Sequence, residues 1–426
     1  MHIIQAPLFD FEAFIADKGN GRLVMVLEAL AAEKLIATLE KEHWTGRKGY
    51  SVRGMWSAII AGVLYQCNSI ADVARLLRRD KDLRMICGFS KDRLPGQDAL
   101  ERFLKKLVRN EDLLEECFTR LVEGLRELLP GFGTKLAVDS TDIKAYSNGH
   151  RKNPSDPDAS WGAKGAGHHG GPRSDSEPEV KRGNRIKKRD LYWWFGYKLH
   201  LVVDAIYELP VSFALTPANE ADTAQVKCLL KEAIPDNGND RKERPEAIIM
   251  DKGYDSQDNY RIVFGEYKAA PIIPIREWED AQQPDICNAK GTPLCSCNLE
   301  MVYWGKDGNY LKYRCPHVMG KAKCTSRFRC TASPYGYVLK LPILQDVRRH
   351  PPVPRETRKF QRLYKLRSSI ERVNSRVKGL LGLGHITLRG IAKVTTRSLL
   401  SLVVMLAAAV GMARRNRLKE LRTLVI

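Results

Sequence analysis

Nowhere does this chain of 426 residues carry an uninterrupted apolar stretch long enough to cross a bilayer. The strongest candidate, LLSLVVMLAAAVGMA from Leu399 to Ala413, falls short of the roughly 20 residues a spanning helix needs, so a buried C-terminal helix is expected and no membrane partner. The first residues lack the basic start and apolar run of an export signal and carry Asp10, Glu12 and Asp17 instead, which points to the cytoplasm. A glycine-rich phosphate loop of the nucleotide-binding type is missing, so no nucleotide cofactor is expected. No two cysteines are separated by two residues, so the cleanest zinc spacing is absent. In a reducing compartment the ten cysteines are expected as thiols or metal ligands, not disulfides. Nine scattered histidines support no Ser-His-Asp arrangement.

Acidic residues are also scarce relative to basic ones: 50 against 70, a formal charge of +20. On a chain of otherwise globular composition, this excess points to a polyanionic partner, nucleic acid first, although charge alone does not separate nucleic acid from anionic lipid. The length is enough for about three domains of ordinary size.

Residues 1–130 read as helices. Val52 to Tyr65 is apolar at helical spacing, Ser69-Ile-Ala-Asp72 forms a capped start for a helix over Ile70 to Leu77, and Leu100, Phe103, Leu104 and Leu107 make a further stripe running towards Leu129-Pro130. Such a helical domain suits DNA binding or plain packing. From residue 131 the period changes, and 131–426 reads as an α/β region. Lys135-Leu-Ala-Val-Asp139 is a short apolar strand. Residues 147–190 are rich in Gly, Pro, Ser and charge and read as a mobile insertion, with His168 and His169 as solvated loop residues. Phe195 to Val203 and Val211 to Leu215 alternate as a hairpin with one buried face. A helix over Asp222 to Ala233, the strand Ala247-Ile-Ile-Met250, a helix from Ser256 and a strand over Ala270 to Pro274 complete a mixed sheet. C-terminal helices are expected over 355–420.

Asp139 and Asp251 each follow an apolar strand, the end at which open α/β sheets bind ligands. One such Asp is weak evidence; two on neighbouring strands are better. A third carboxylate lies in Leu363 to Leu381, read as one helix. At about 100° per residue, Leu363, Leu366, Ile370, Val373, Val377 and Leu380 form a core stripe, while Tyr364, Arg367, Glu371 and Lys378 share an arc about 60° wide. Lys365, Arg372 and Arg376 form a third, basic side. A solvated helix with an Arg367–Glu371 pair would show the same pattern. Beside two strand-end Asp residues, however, three carboxylates on a basic protein suit two divalent cations, with Mg²⁺ or Mn²⁺ preferred by oxygen ligands, acting on a phosphodiester.

Tyr364-x2-Arg367-x3-Glu371-x6-Lys378 resembles the Y-R-E-K signature of bacterial insertion-sequence transposases of the DDE type. LAVDSTDIKAYS around Asp139 and IIMDKGYDS around Asp251 resemble the family's two Asp motifs, and FGYKLHLVVDAIYELPVSFALTPANEADT its intervening hairpin. VRGMWSAIIAGVLYQCNSIADVARLLRRDKDLRMICGFS resembles its N-terminal helical domain. The resemblance implies a ribonuclease H-like fold with an all-α N-terminal domain, the triad Asp139, Asp251 and Glu371 holding two Mg²⁺ or Mn²⁺ ions, and DNA contacts by Tyr364, Arg367 and Lys378. It also implies cleavage at terminal inverted repeats and attack of the freed 3′-hydroxyl on target DNA. Asp142 and Asp255 lie off the family positions and rank lower. Joining two DNA ends implies at least a dimer.

Two stretches depart from the family's minimal form. In the 147–190 insertion, Lys181, Arg182, Arg185, Lys187, Lys188 and Arg189 suit a DNA backbone, and Trp193 and Trp194 follow it, one for stacking on a base and at least one for packing. Residues 280–345 hold Cys287, Cys295, Cys297, Cys315, Cys324 and Cys330, with His317 among them. The favoured reading is a structural zinc ribbon using Cys295 or Cys297 with Cys315, Cys324 and Cys330; the alternative is reduced cysteines in a β insertion. Cys67, Cys87, Cys117 and Cys228 read as core residues. The overall expectation is therefore a DNA transposase. The alternatives are a metal-dependent nuclease that cuts without joining, and a non-catalytic DNA-binding regulator. The regulator is disfavoured because an idle site has no reason to keep three mutually repelling carboxylates.

Overall fold

The computed structural model describes residues 21–30, 32–42, 49–165, 191–234, 244–276, 287–288, 291–325 and 330–422. Among the described residues seven helices come first: α1 (Gly21–Ala29), α2 (Glu33–Glu42), α3 (Val52–Leu64), α4 (Ile70–Arg79), α5 (Lys81–Ile86), α6 (Gln97–Arg109) and α7 (Glu111–Leu128). Local chemistry explains their starts. Ser69 and Asp72 form a reciprocal capping box at α4: Asp72 N–H donates to Ser69 Oγ at 3.2 Å, and Ser69 N–H donates to Asp72 Oδ2 at 3.0 Å. Gly62 in α3 lets α4 come close, since a Cβ there would lie 2.5 Å from Val73 Cγ2.

The sheet is built from β1 (Lys135–Lys144), β2 (Ser160–Gly165), β3 (Leu191–Asp204), β4 (Leu209–Pro217), β5 (Ala247–Met250) and β6 (Ala270–Ile272), with α8 (Asp222–Ala233) between β4 and β5. β1 is central. It runs antiparallel to β3, with Asp139 opposite Leu201 and Ser140 opposite His200, and parallel to β5, with Val138 opposite Met250. β5 is parallel to β6. The far edge of β3 is shared: its second half pairs with β4 and its first half with β2, both antiparallel. A parallel core with an antiparallel hairpin at one side is the ribonuclease H-like arrangement. Beyond it, β7 (Val302–Asp307), β8 (Tyr310–Arg314) and β9 (Val338–Pro342) form a separate three-stranded antiparallel sheet within the Cys-rich segment. The short helix α9 (Gln257–Tyr260) stands between β5 and β6, and the last α-helices among the described residues are α10 (Arg358–Lys365), α11 (Ser368–Gly379) and α12 (Ile391–Arg414).

Four features differ from the sequence reading. First, only part of 147–190 lacks regular structure among the described residues: β2 is a true edge strand, with Gly162 under the Trp194 ring where a Cβ would meet it at 2.6 Å. Residues 166–190, with His168, His169, Lys181, Arg182, Arg185, Lys187, Lys188 and Arg189, lie outside the described residues. Second, β3 is buried on both faces from Gly196 to Ala205, not on one, because α8 and α11 both pack against it. Its polar positions find partners inside at one end each: Lys198 Nζ donates to Glu220 O at 2.7 Å and lies 3.0 Å from Asp222 Oδ1, and His200 Nε2 bonds Thr216 Oγ1 at 2.9 Å, while His200 Nδ1 is buried without a hydrogen bond.

Third, Leu363 to Leu381 is not one α-helix. Hydrogen bonds from Leu366, Arg367, Ser369 and Ile370 to carbonyls three residues back tighten the chain between α10 and α11. Fourth, the C-terminal helix is longer than its apolar run. α12 has 24 residues, long and apolar enough to cross a membrane by length and composition, yet 89% of that apolar window is buried inside the protein. It packs on α7, α1, α3 and β4, so the N-terminal helices and the sheet share one core.

Candidate active site

The parallel pairing of β1 and β5 carries the first part of the site. Its last register pair is Val138 with Met250, so Asp139 and Asp251 are the next residues of two strands about 4.8 Å apart. Each carboxylate is held by its own backbone. Asp139 Oδ1 accepts from Ser140 N–H at 2.8 Å, and Asp251 Oδ1 accepts from Gly253 N–H at 2.6 Å, capping the turn Lys252–Tyr254. Burial pushes the Asp139 carboxyl up to about 6, the charge of Asp251 adds to the rise, and Lys164 and Arg367 oppose it.

Arg367 brings the third carboxylate in. Its Nη1 lies 3.7 Å from Asp139 Oδ2, and its Nη2 donates to Glu371 Oε1. The guanidinium therefore stands between the strand-end Asp and the helix-borne Glu. Among the described residues no three carboxylate, imidazole or thiol groups stand close enough together to hold one ion, and Arg367 is what fills the gap. Tyr364, half-buried, stacks on Phe360 with ring centroids 6.0 Å apart; burial raises its hydroxyl pKa, Arg367 lowers it, and the charges of Asp251 and Asp139 add to the rise. Lys378 points elsewhere on the same strand: its Nζ donates to Asp142 Oδ1 at 2.8 Å and Thr141 Oγ1 at 3.3 Å.

The two lower-ranked acids are committed to partners. Asp142 takes Lys378. Asp255 is fully buried and accepts from Arg348 Nε at 3.0 Å and Nη2 at 2.7 Å and from Arg276 N–H at 2.8 Å. Arg372 and Arg376, read from sequence as part of a basic side, are bound to Glu208 in the β3–β4 turn. Sequence reasoning missed Lys164, whose Nζ donates to Ser140 O at 2.7 Å beside Asp139. No local signal marks it, since it closes a Gly- and Ser-rich stretch and acts across β3. It also missed Tyr254, buried beside the site, whose hydroxyl is held protonated by burial and by the charges of Asp139, Asp222 and Asp251. Of the tryptophans, Trp194 is buried and donates from Nε1 to Tyr197 O at 3.1 Å, while Trp193 is exposed.

In the Cys-rich segment, Cys297 and Cys324 come together with their sulfurs 3.4 Å apart, and Cys324 N–H donates to His317 Nδ1 at 3.3 Å. The wider set of Cys295, Cys315 and Cys330 does not converge with them into a group of three among the described residues. The expected four-cysteine cluster is thus reduced to a Cys297–Cys324 pair with a neighbouring imidazole.

Residues 130–407 match the family described as Transposase DDE domain, and residues 9–106 match that described as Transposase domain (DUF772). None of the curated proteins matches. A cryo-EM structure of a piggyBac transposase synaptic complex with hairpin DNA is similar over 95% of this chain and 78% of that one, at 10% sequence identity and a TM-score of 0.40, too distant a likeness to carry residue roles across. With well over half its length matched, and with two strand-end Asp residues beside a Glu-bearing helix on a ribonuclease H-like sheet, the chain belongs to the DDE family and is a DNA transposase.

Proposed function

We propose that this transposase binds the ends of its own element in double-stranded DNA and catalyses divalent-metal-dependent strand cleavage and strand transfer, with Asp139, Asp251 and Glu371 as the catalytic carboxylates. The single observation that supports this most is the β1–β5 register, which sets Asp139 and Asp251 side by side, with Arg367 linking Asp139 to Glu371. The donor set is all carboxylate oxygen, which fits Mg²⁺ or Mn²⁺. Two such ions would polarise the scissile phosphate and activate water or a 3′-hydroxyl.

The chain's own residues do the rest. Asp139 ionises against its raised pKa, so a cation is favoured where Asp251 otherwise repels it. Arg367 leaves the gap between Asp139 and Glu371 and pairs with a phosphate of the bound DNA, for which a guanidinium fork is suited. Lys378 keeps two N–H groups on β1 and has a third for the backbone, and Tyr364 lines the cut end. Lys187, Lys188 and Arg189 extend the phosphate contacts. Terminal inverted repeats are the first DNA substrate and target DNA the second, the two ends being held by at least a homodimer in the cytoplasm. The Cys297–Cys324 pair with His317 is the nucleus of a structural zinc site.

The test is cleavage of a fragment carrying the element's end, with Mg²⁺ or Mn²⁺, by wild type and Glu371→Gln. Nicking at the end by wild type, lost in the variant while DNA binding survives, is the expected result. Equal cutting by both would remove Glu371 from the triad. Binding without cutting by either, across metals and end sequences, would favour the regulator; cut ends without joined products would favour the nuclease.

A further inference from the structure

A heavily committed carboxylate among the described residues lies outside the triad. Glu208 sits in the turn between β3 and β4, at φ 60° and 2% exposed. Its Oε1 accepts from Arg372 Nε at 2.9 Å and lies 2.8 Å from Arg372 Nη2 and 3.1 Å from Arg422 Nη1. Its Oε2 lies 3.4 Å from Arg376 Nη2, which also donates to the Glu208 carbonyl at 2.6 Å. Three guanidinium groups thus converge on one buried carboxylate, and two of them belong to α11, the helix that carries Glu371.

Their placement on that helix matters. Arg372 follows Glu371 directly and Arg376 is one turn further, so they project about 100° and 140° from Glu371 around the axis, whereas Lys378 projects within about 20° of it. Lys378 is anchored on Asp142 of β1, on one side of the helix; the Arg pair is anchored on Glu208, on another. Two anchors so far apart in angle stop the helix from rolling; either alone would act as a pivot. With side chains about 5–6 Å from the axis, a roll of about 20° would carry the Glu371 carboxylate about 2 Å. Metal and catalytic geometry tolerates only about 0.5 Å.

We propose that Glu208 is a positioning residue that sets the roll of α11 and so the place of Glu371 relative to Asp139 and Asp251. The proposal rests on the reading of Glu371 as a metal-holding carboxylate. It acts through helix orientation, not through contact with DNA or a reacting atom.

The test uses the full chain and Mn²⁺ alone as the probe. Mn²⁺ binding is followed by electron paramagnetic resonance without DNA, then by the Mn²⁺ dependence of cleavage of end-bearing DNA. Glu208→Gln keeps the shape and removes the charge; the expected result is a rise in half-saturating Mn²⁺ of about 10- to 100-fold, the range found when a ligand's supporting partner is lost, with metal-free DNA binding unchanged. Arg372→Gln, at a side chain 53% exposed and so tolerated by the fold, shifts Mn²⁺ in the same direction by less, and it decides the matter if Glu208→Gln does not fold. Wild-type Mn²⁺ titrations from both variants, or a lower melting temperature with an unmoved titration, would overturn the proposal. If Glu371→Gln itself titrates like wild type, the fault lies in the reading of Glu371, and the positioning role falls with it.

Discussion

The ribonuclease H-like centre and the three-stranded Cys-rich sheet use the same types of charged residue in opposite ways. Around the centre, two buried ion pairs join elements far apart in the chain: Asp255 is fully buried under Arg348, and Asp142 is 5% exposed under Lys378. In the β7–β9 sheet the pair of Lys340 with Asp307 leaves both side chains more than half exposed, and Arg314 and Lys312 lie over the exposed ring of Trp304. Pairs of the first kind specify geometry, because removing one partner strands a buried charge. Pairs of the second kind are screened by water and contribute little. The centre is therefore rigid through its charges, while the Cys-rich sheet relies on its backbone ladder and on Leu311 and Tyr313 beneath it.

The largest expected effect separates these two classes. Arg348→Ala should destabilise the protein by about 3–5 kcal/mol by leaving Asp255 buried without its guanidinium, while Lys340→Ala should change stability by less than about 1 kcal/mol. Urea denaturation of both variants measures this, and similar losses in the two would break the comparison.

The next effect concerns the raised Asp139 carboxyl. A carboxylate must be ionised to hold a cation, so binding weakens as pH falls through about 6, with half-saturating Mn²⁺ rising at most about tenfold per pH unit below that value. The same shift has a stability consequence of defined sign: the folded-state pKa lies above the unfolded one, so this group's contribution favours the fold at pH below the unfolded value and is lost as pH rises through about 6. Mn²⁺ titrations between pH 5 and 8 in Asp139→Asn and wild type check it; an unchanged pH dependence in the variant would assign the titration to another group.

The smallest effect on overall stability is expected in the Cys-rich segment. Cys297→Ser and Cys324→Ser should each release zinc from the purified chain, with any loss confined to the β7–β9 sheet and the main unfolding transition little moved; Cys330→Ser, at an exposed position, should leave the zinc content unchanged. Metal analysis alongside the denaturation curves reads both, and equal zinc content in all variants would remove the metal from this sheet.

Much of this was legible in one dimension. The strand before Asp139, the apolar run before Asp251 and the Ser69 cap are local patterns, and local patterns survive folding. The stripe holding Tyr364, Arg367, Glu371 and Lys378 was legible as well, although the tightened turn at Leu366 and Arg367 breaks the helix that carries it. The basic side that holds Arg372 and Arg376 failed to reveal its partner for a specific reason: Glu208 lies 164 residues from Arg372 in sequence, and periodicity around a helix shows which residues share a side without showing what lies against it. The single buried face assigned to β3 failed in the same way, since Lys198 and His200 look outward-facing until α8 covers them.

The sequence by itself determined the apolar periods, the caps and the chemical identity of the acids, because those depend on neighbours a few positions away. Only the tertiary structure decided which acids meet. The β1–β5 register puts Asp139 beside Asp251, Arg367 stands between Asp139 and Glu371, and burial raises the Asp139 carboxyl, because electrostatic strength and pKa depend on distance and solvent exclusion, which the folded chain alone sets.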